Sequence, residues 1–571
     1  MSVSRKYCVL CMCFIASFPI FSQSMYLEIN LNNVYSNNFF ARTNQPLEVF
    51  RVIEKAANDE KVKGIILNIG SFSGERDYSW ELRNALEKFK SGGKKICAFI
   101  SNADMDVYCL ASAADKIVMD ELGTLSMLGY SMGRGYVRQT LEKFGIGVRE
   151  LRYFEYKSAA ETYTRDSMSD ADRRQYSDYL DDIFNLTRDT LKTARNWTDE
   201  EFDIILNKDF IYSARDAKSR NLVDYVGRKI DVLYEVIKEM ESEEIKHFVL
   251  YGDSASSLTG SKINYTLPKA GGLFSRPPVI AVIYADGQTD MQSGMAILSL
   301  SEKIRELADN KRVKAIVIRI NSPGGSAEAA DYFAEAVSYA KQNKPVVVSM
   351  GQVAASGGYW ASMNASHIMA TPYTITGSIG VIGSWFYDNG LYGRIGLSTD
   401  TILRGAHSDL MTGAFVPYRN LTQLEEERYK NYILDIYRIF IEKVAAGRGI
   451  EAEKVETVAQ GRIFSGTKAL EIGLIDSIGT LSDAMRMAQK LAEIPEDKTV
   501  LYRKYPEPSF FEKLVNRFPF AKILFKNKNS QTSTASLFTG LFLSDDISYR
   551  LEKNGQVMPI LPLEFSLLRN R

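Results

Sequence analysis

The sequence predicts an α/β fold of two tandem repeats, each a mainly parallel sheet with crossover helices. Two observations carry the architecture. First, DEKVKGIILNI at 59–69 returns as NKRVKAIVIRI at 310–320, displaced by 251 positions. The same displacement aligns ICAFISNADMDVYCLASAADKIVM (96–119) with VVSMGQVAASGGYWASMNASHIMA (347–370), and GIGVRELRYFEYKS (145–158) with GLSTDTILRGAHSD (396–409). A constant offset of this kind marks two copies of one fold. Second, short apolar runs such as AIVIRI and PVVVSM alternate with stretches such as EAADYFAEAVSYAKQ, whose apolar residues recur at helical spacing. Strand–helix alternation of this kind builds a parallel sheet covered by crossover helices.

Taken in order, the chain opens with MSVSRKYCVLCMCFIASFPIFSQS: two cations, Arg5 and Lys6, an uncharged run from Tyr7 to Phe21, then small polar residues. That order is the pattern of an export signal, and the run falls short of the ~20 residues that span a bilayer as a helix. Residues 1–24 therefore read as a signal sequence or membrane anchor. Residues 25–250 form the first repeat, 251–278 a Gly/Ser/Pro-rich linker, 279–495 the second repeat and 496–571 a C-terminal tail. Each repeat carries a long helical region, SDADRRQYSDYLDDIFNLTRDTLK or LTQLEEERYKNYILDIYRIFIEKV, and closes on DFIYSARDAKSRNLVDYVG or GRIFSGTKALEIGLIDSIG.

Composition excludes several classes. At 571 residues the chain exceeds one hydrophobic core, and 45% hydrophobic with 25% charged residues is neither disordered nor multi-spanning. Lys+Arg and Asp+Glu balance at 70 each with no basic block, so no nucleic-acid partner is expected. Cys8, Cys11 and Cys13 lie in the apolar opening, and Cys97 and Cys109 read as buried thiols. Without a zinc-type spacing, neither a metal nor another cofactor is expected.

Chemistry should appear where only one copy retains a reactive group. Subtracting the offset takes Ser356 to Met105 and Ser378 to Met127, while Asn321–Gly325 (NSPGG) becomes Gly70–Gly74 (GSFSG). Two glycines in a turn at a strand end let backbone N–H groups face a ligand. A serine hydroxyl needs a base. Of His247, His367 and His407, only His407 in RGAHSD is placed to serve. His247 lies near the linker, and His367 is expected at the exposed end of the helix after Ser356. The other choice is a lysine buried enough to act as an amine. Lys157 in EYKSAAE maps onto Ser408, so the lysine belongs to the first copy and the serine to the second.

MGQVAASGGYW, NSPGGS, TGSIGVIG and YKSAAETYTRDSMS together resemble the long tandem form of the signal peptide peptidase A family, serine–lysine peptidases of the ClpP/crotonase-like superfamily. The resemblance runs over 45–490. It implies Ser356 as nucleophile, Lys157 as general base and Ser378 as the hydroxyl that orients the lysine. Gly325 and Gly357 would be oxyanion donors, with Gly324 shaping the turn. It also implies a homotetramer at the cytoplasmic membrane, catalytic domains on the extracytoplasmic side, degrading released signal peptides and other apolar peptides. Glu155 departs from the family's glycine, and a carboxylate there would raise the lysine's pKa if it pointed inward. Two other readings stay open: an acyl-CoA hydratase or isomerase of the crotonase type, and a silent scaffold of the same fold.

Overall fold

The computed structural model describes residues 24–31, 45–70, 72, 74–241, 247–251, 277–506 and 557–558. The export-signal segment, nearly all of the linker and most of the tail lie outside the described residues. The first repeat contributes strands β1 (Met25–Asn30), β2 (Val62–Asn68), β3 (Lys95–Asp104), β4 (Lys116–Ser126), β5 (Ile146–Leu151), β6 (Ile211–Ser213), β7 (Tyr225–Val226) and β8 (His247–Tyr251). The second contributes β9 (Val279–Asp286), β10 (Val313–Ser322), β11 (Val346–Ala355), β12 (His367–Ala370), β13 (Ile375–Gly377), β14 (Ile382–Asp388), β15 (Ile463–Ser465), β16 (Ser477–Ile478) and β17 (Leu501–Tyr505). A last short strand, β18, is Val557–Met558.

Among the described residues the two main sheets run in equivalent order, β6-β4-β3-β2-β1-β8 and β15-β13-β11-β10-β9-β17. Pairing is parallel apart from β4 with β6 and β13 with β15. Near-continuous apolar runs make these strands because both faces of each sheet are covered. In β10 the alternation of side chains sends Ile316, Ile318 and Ile320 into the cluster with Phe333 and Val337 of the helix Ala327–Asn343. Ala315 and Val317 face the opposite way, onto Leu481, Ala484 and Met485. The copies even share polar anchors: Tyr108 donates to the Leu222 carbonyl at 2.6 Å, and Tyr359 to the Leu474 carbonyl at 2.9 Å.

Two departures from the repeat matter. The second sheet continues past residue 495, because β17 lies parallel to β9 in the place that β8 takes beside β1. The expected alignment of 145–158 with 396–409 also fails as structure: β5 is a strand, whereas 397–402 contains none. β5 instead pairs antiparallel with β14 of the other repeat, Leu151 opposite Gly383 and Ile146 opposite Asp388. The third strand of this small sheet is β18, which pairs with β14 through Met558 opposite Ile382 and Val557 opposite Gly383.

The repeats are further clamped by the helix Asp170–Arg195, started by the Ser169 hydroxyl on the Asp172 N–H. Its Tyr179 hydroxyl donates to the Tyr373 carbonyl at 2.8 Å, and its Asp178 pairs with Arg462 at 2.6 Å. On the other side Arg319 of β10 crosses to Asp77 (2.9 Å) and Glu81 (2.7 Å), and Glu81 also accepts the Leu481 N–H at 3.1 Å. Burial, opposed by Arg319 and reinforced by the neighbouring Asp77 charge, pushes the Glu81 carboxyl up to about 7.

Removing Arg319 should leave two buried carboxyl groups without their donor, so Arg319→Met is expected to cost about 3–5 kcal/mol in urea unfolding. The folded protein holds a proton on Glu81 that the unfolded chain has released above the ordinary value of 4.5. Relative to Glu81→Gln, the wild type should therefore lose stability as pH rises through that window towards about 7.

Candidate active site

β11 delivers its last residue, Ala355, to a sharp turn, and Ser356 follows with φ 59° and ψ −115° ahead of the helix Gly357–Ser362. A serine in that region costs about 1–3 kcal/mol of backbone strain. The turn is held by its neighbours: the Ser356 N–H donates to the Gly377 carbonyl at 2.8 Å, and its carbonyl accepts the Trp360 N–H at 2.9 Å. Flanking small residues are required by close backbone approach. A Cβ on Gly358 would lie 2.5 Å from the Ser322 carbonyl oxygen, and one on Gly357 would lie 2.6 Å from Thr289 Oγ1 and 3.2 Å from the Gly325 nitrogen. The two glycine amides are thus neighbours. Gly324 (φ 100°) and Gly325 (φ 156°) bend the NSPGG turn into that position, and the Thr289 N–H fastens it by donating to the Gly324 carbonyl at 2.9 Å.

Lys157 comes from the other repeat, on the turn that follows β5, and is 1% exposed. Its Nζ lies 2.7 Å from Ser356 Oγ, 2.9 Å from Ser378 Oγ and 2.9 Å from the Ser378 carbonyl oxygen. Ser356 and Ser378 are themselves sealed from solvent. Segment 460–462 makes the approach possible. The Gln460 carbonyl accepts the Tyr156 N–H at 3.0 Å, the Gly461 N–H donates to the Ile379 carbonyl at 2.8 Å, and the Arg462 carbonyl accepts the Ser378 N–H at 2.7 Å. Gly461 adopts φ 80°, and a Cβ there would stand 2.6 Å from Lys157 Cβ. Behind the lysine, Ser158 hydrogen-bonds Asp172, which pairs with the buried Arg134 at 3.3 Å. Burial pushes the Asp172 carboxyl up, against the pull of Arg134.

The structure therefore brings together Ser356, Lys157, Ser378, Gly324, Gly325 and Gly357. It does not bring a histidine to the serine. His407 Nδ1 contacts Glu425 Oε1 at 2.7 Å in a cluster with Arg419 and Asp409. His367 opens β12, and its Nε2 meets Ser477 Oγ at 2.9 Å in a half-buried setting, a correction to its expected place on a solvent-facing helix end. Burial lowers its pKa. His247 lies in β8, on the first repeat's sheet. Glu155 does not point inward: exposed, it pairs with Arg174 at 2.5 Å, because 153–156 is a turn and not a strand with alternating faces. Thr289 and Gly461 were not singled out from sequence. Gly461 was accessible to the test of a group kept by one copy, since the offset places Phe210 opposite it.

A tandem α/β fold, with a strained serine beside a buried amine from the opposite repeat, is an arrangement that a serine peptidase can use. Comparison with known proteins agrees. The family described as Peptidase family S49 matches residues 88–243 and 338–495, once in each repeat, and the Clp protease family matches 283–374. The chloroplastic serine protease SPPA of Arabidopsis thaliana is 31% identical over 85% of this chain and 71% of its own length. Protease 4 of Haemophilus influenzae is 30% identical over 79% of this chain and 74% of its own. ClpP1 from Listeria monocytogenes superposes over 36% of this chain and 94% of its own, with 16% identity and a TM-score of 0.24. The chain belongs to peptidase family S49.

Because Gly461 has no room for a methyl group beside Lys157, Gly461→Ala should reduce peptidase kcat about 100-fold or more. Steady-state kinetics on protein shown to be folded by its thermal transition would check this. A kcat unchanged in folded protein would contradict the packing described.

Proposed function

We propose that this peptidase works through Ser356 as nucleophile and Lys157 as general base. The observation that carries the reading is the 2.7 Å contact between Lys157 Nζ and Ser356 Oγ inside a sealed site. A lysine acts as a base only as the neutral amine, and removal from water favours that form. The Ser378 hydroxyl and carbonyl would fix the direction of the amine. In the first step Ser356 Oγ attacks the scissile carbonyl carbon as its proton passes to Nζ, and the carbonyl π pair moves onto oxygen. The N–H groups of Gly325 and Gly357 receive that oxyanion, and Gly324 lets the turn present the first of them. Collapse breaks the C–N bond, the ammonium returns the proton to the leaving amine, and an acyl-enzyme remains. Water then attacks the acyl carbon as its proton passes to the amine, and collapse breaks the bond from that carbon to Oγ, releasing the acid while the ammonium returns the proton to Ser356 Oγ.

The proposal extends to substrate and setting: apolar peptides, released signal peptides among them, cleaved by a homotetramer at the extracytoplasmic face of the cytoplasmic membrane. Its support is the basic, apolar, small-polar order of residues 1–24 and the match of the motifs to the family. Among the described residues no helix is long and apolar enough to cross a membrane. A crotonase-type hydratase or isomerase is set aside by membership in a peptidase family. No cofactor enters the proposed chemistry.

Mass spectrometry of wild-type protein treated with a fluorophosphonate should place the adduct on Ser356. Ser356→Ala and Lys157→Ala should each lower peptide turnover at neutral pH at least about 1,000-fold with the fold intact. Full turnover by folded Lys157→Ala would sink the assignment, and equal turnover of polar and apolar peptides would remove the substrate class.

A further inference from the structure

The base and the nucleophile belong to different repeats, so something must hold the lysine turn in register with the strands around Ser378. We propose that Gln175 is the positioning residue that does this, an inference that rests on Lys157 being the base. Gln175 sits near the start of the helix Asp170–Arg195 and is 1% exposed. Its Nε2 donates to the Tyr156 carbonyl at 3.1 Å, and also lies 3.3 Å from Ser158 Oγ and 3.1 Å from Asp172 Oδ1. Tyr156 and Ser158 are the residues on either side of Lys157. On the opposite edge of the same amide, Oε1 accepts the Ile463 N–H at 3.1 Å. Ile463 belongs to the second repeat and pairs with Gly377 across β13 and β15, immediately before Ser378. Its neighbour Arg462 takes the Ser378 N–H. One planar side chain therefore fixes the lysine turn and the strand that supports the lysine's hydroxyl partner.

The chemistry of that contact selects glutamine. An amide offers a donor to the carbonyl and an acceptor to the N–H at once, and it leaves neither backbone group unpaired in a buried site. Glutamate would keep the acceptor, lose both donors and bring a charge beside Lys157. That charge would join a neighbourhood already occupied by Asp172, Arg134 and Glu161. Leucine or methionine would fill the volume and satisfy nothing. The corresponding position of the other long helix, counted from its Thr422 cap as Gln175 is from Ser169, is the exposed Arg428. At this position the buried amide belongs to the repeat that carries the lysine and has no counterpart in the other.

The test compares Gln175→Leu and Gln175→Glu with wild type and Lys157→Ala. It uses one apolar fluorogenic peptide, the pH profile of kcat/KM, fluorophosphonate labelling of Ser356, and thermal unfolding to confirm the fold. Positioning predicts that both Gln175 variants lose about 100-fold in kcat and label more slowly, with KM within about threefold. In Gln175→Glu the acid limb of the profile should also move to higher pH, since the new carboxylate favours the ammonium. A residue that merely supports the fold would lower the unfolding temperature and leave kcat and the profile of the folded fraction unchanged, which would overturn the inference. Should the leucine variant not fold, the near-isosteric glutamate decides alone. If Lys157→Ala is inactive while the Gln175 variants match wild type, only this inference falls. If Lys157→Ala retains turnover, the assignment of the base falls and this inference with it.

Discussion

Everything at the centre of this protein depends on one contact, between a lysine nitrogen and a serine oxygen 2.7 Å apart and 199 residues apart in sequence. A separation that short leaves no latitude. The turn carrying Lys157 must lie against 460–462 with no side chain between them, which is why Gly461 stands there in the left-handed region. The serine must project from a strained backbone, which is why Ala and Gly surround it and why its N–H and carbonyl are both taken by neighbours. The cost of strain and burial falls on a few residues, and two large sheets with continuous apolar cores carry it.

The duplicated architecture explains how the contact can be built at all. Two copies of one fold have equivalent sheets, yet each lends the other an element: β5 of the first joins β14 of the second, and the long helix of the first lies along β15 of the second. Arg319 adds a buried ionic tie at another part of the boundary. Because both repeats sit in one chain, the site needs only one lysine and one serine. The vacated positions, Met105 and Met127, have become core.

Much of the site was legible because a repeat is an internal control. Where one copy keeps a hydroxyl that the other has replaced by an apolar residue, packing no longer explains it, and Ser356 and Ser378 emerge that way; Lys157 stands out as a cation that its counterpart, Ser408, lacks. The same comparison misled where the copies had exchanged partners: the offset implied that 396–409 resembles the lysine turn, but strand pairing is decided by which backbone edge is available, and β14 had taken β5. Glu155 turns outward to Arg174, because alternation of faces holds for strands and not for turns. Thr289 and Gln175 were not found, since a hydroxyl beside a glycine turn and a glutamine in a helix have ordinary local sequences. Their meaning comes from backbone groups hundreds of residues away.

The sequence by itself determined the tandem α/β plan and singled out the candidate reactive groups, because hydrophobic period and loss in one copy are written in residue type and spacing. It could not determine that the lysine turn meets the serine, or what keeps them there. Those facts are distances between segments distant along the chain, fixed by strand pairing and by glycines that admit close backbone approach. Only the folded chain sets such distances.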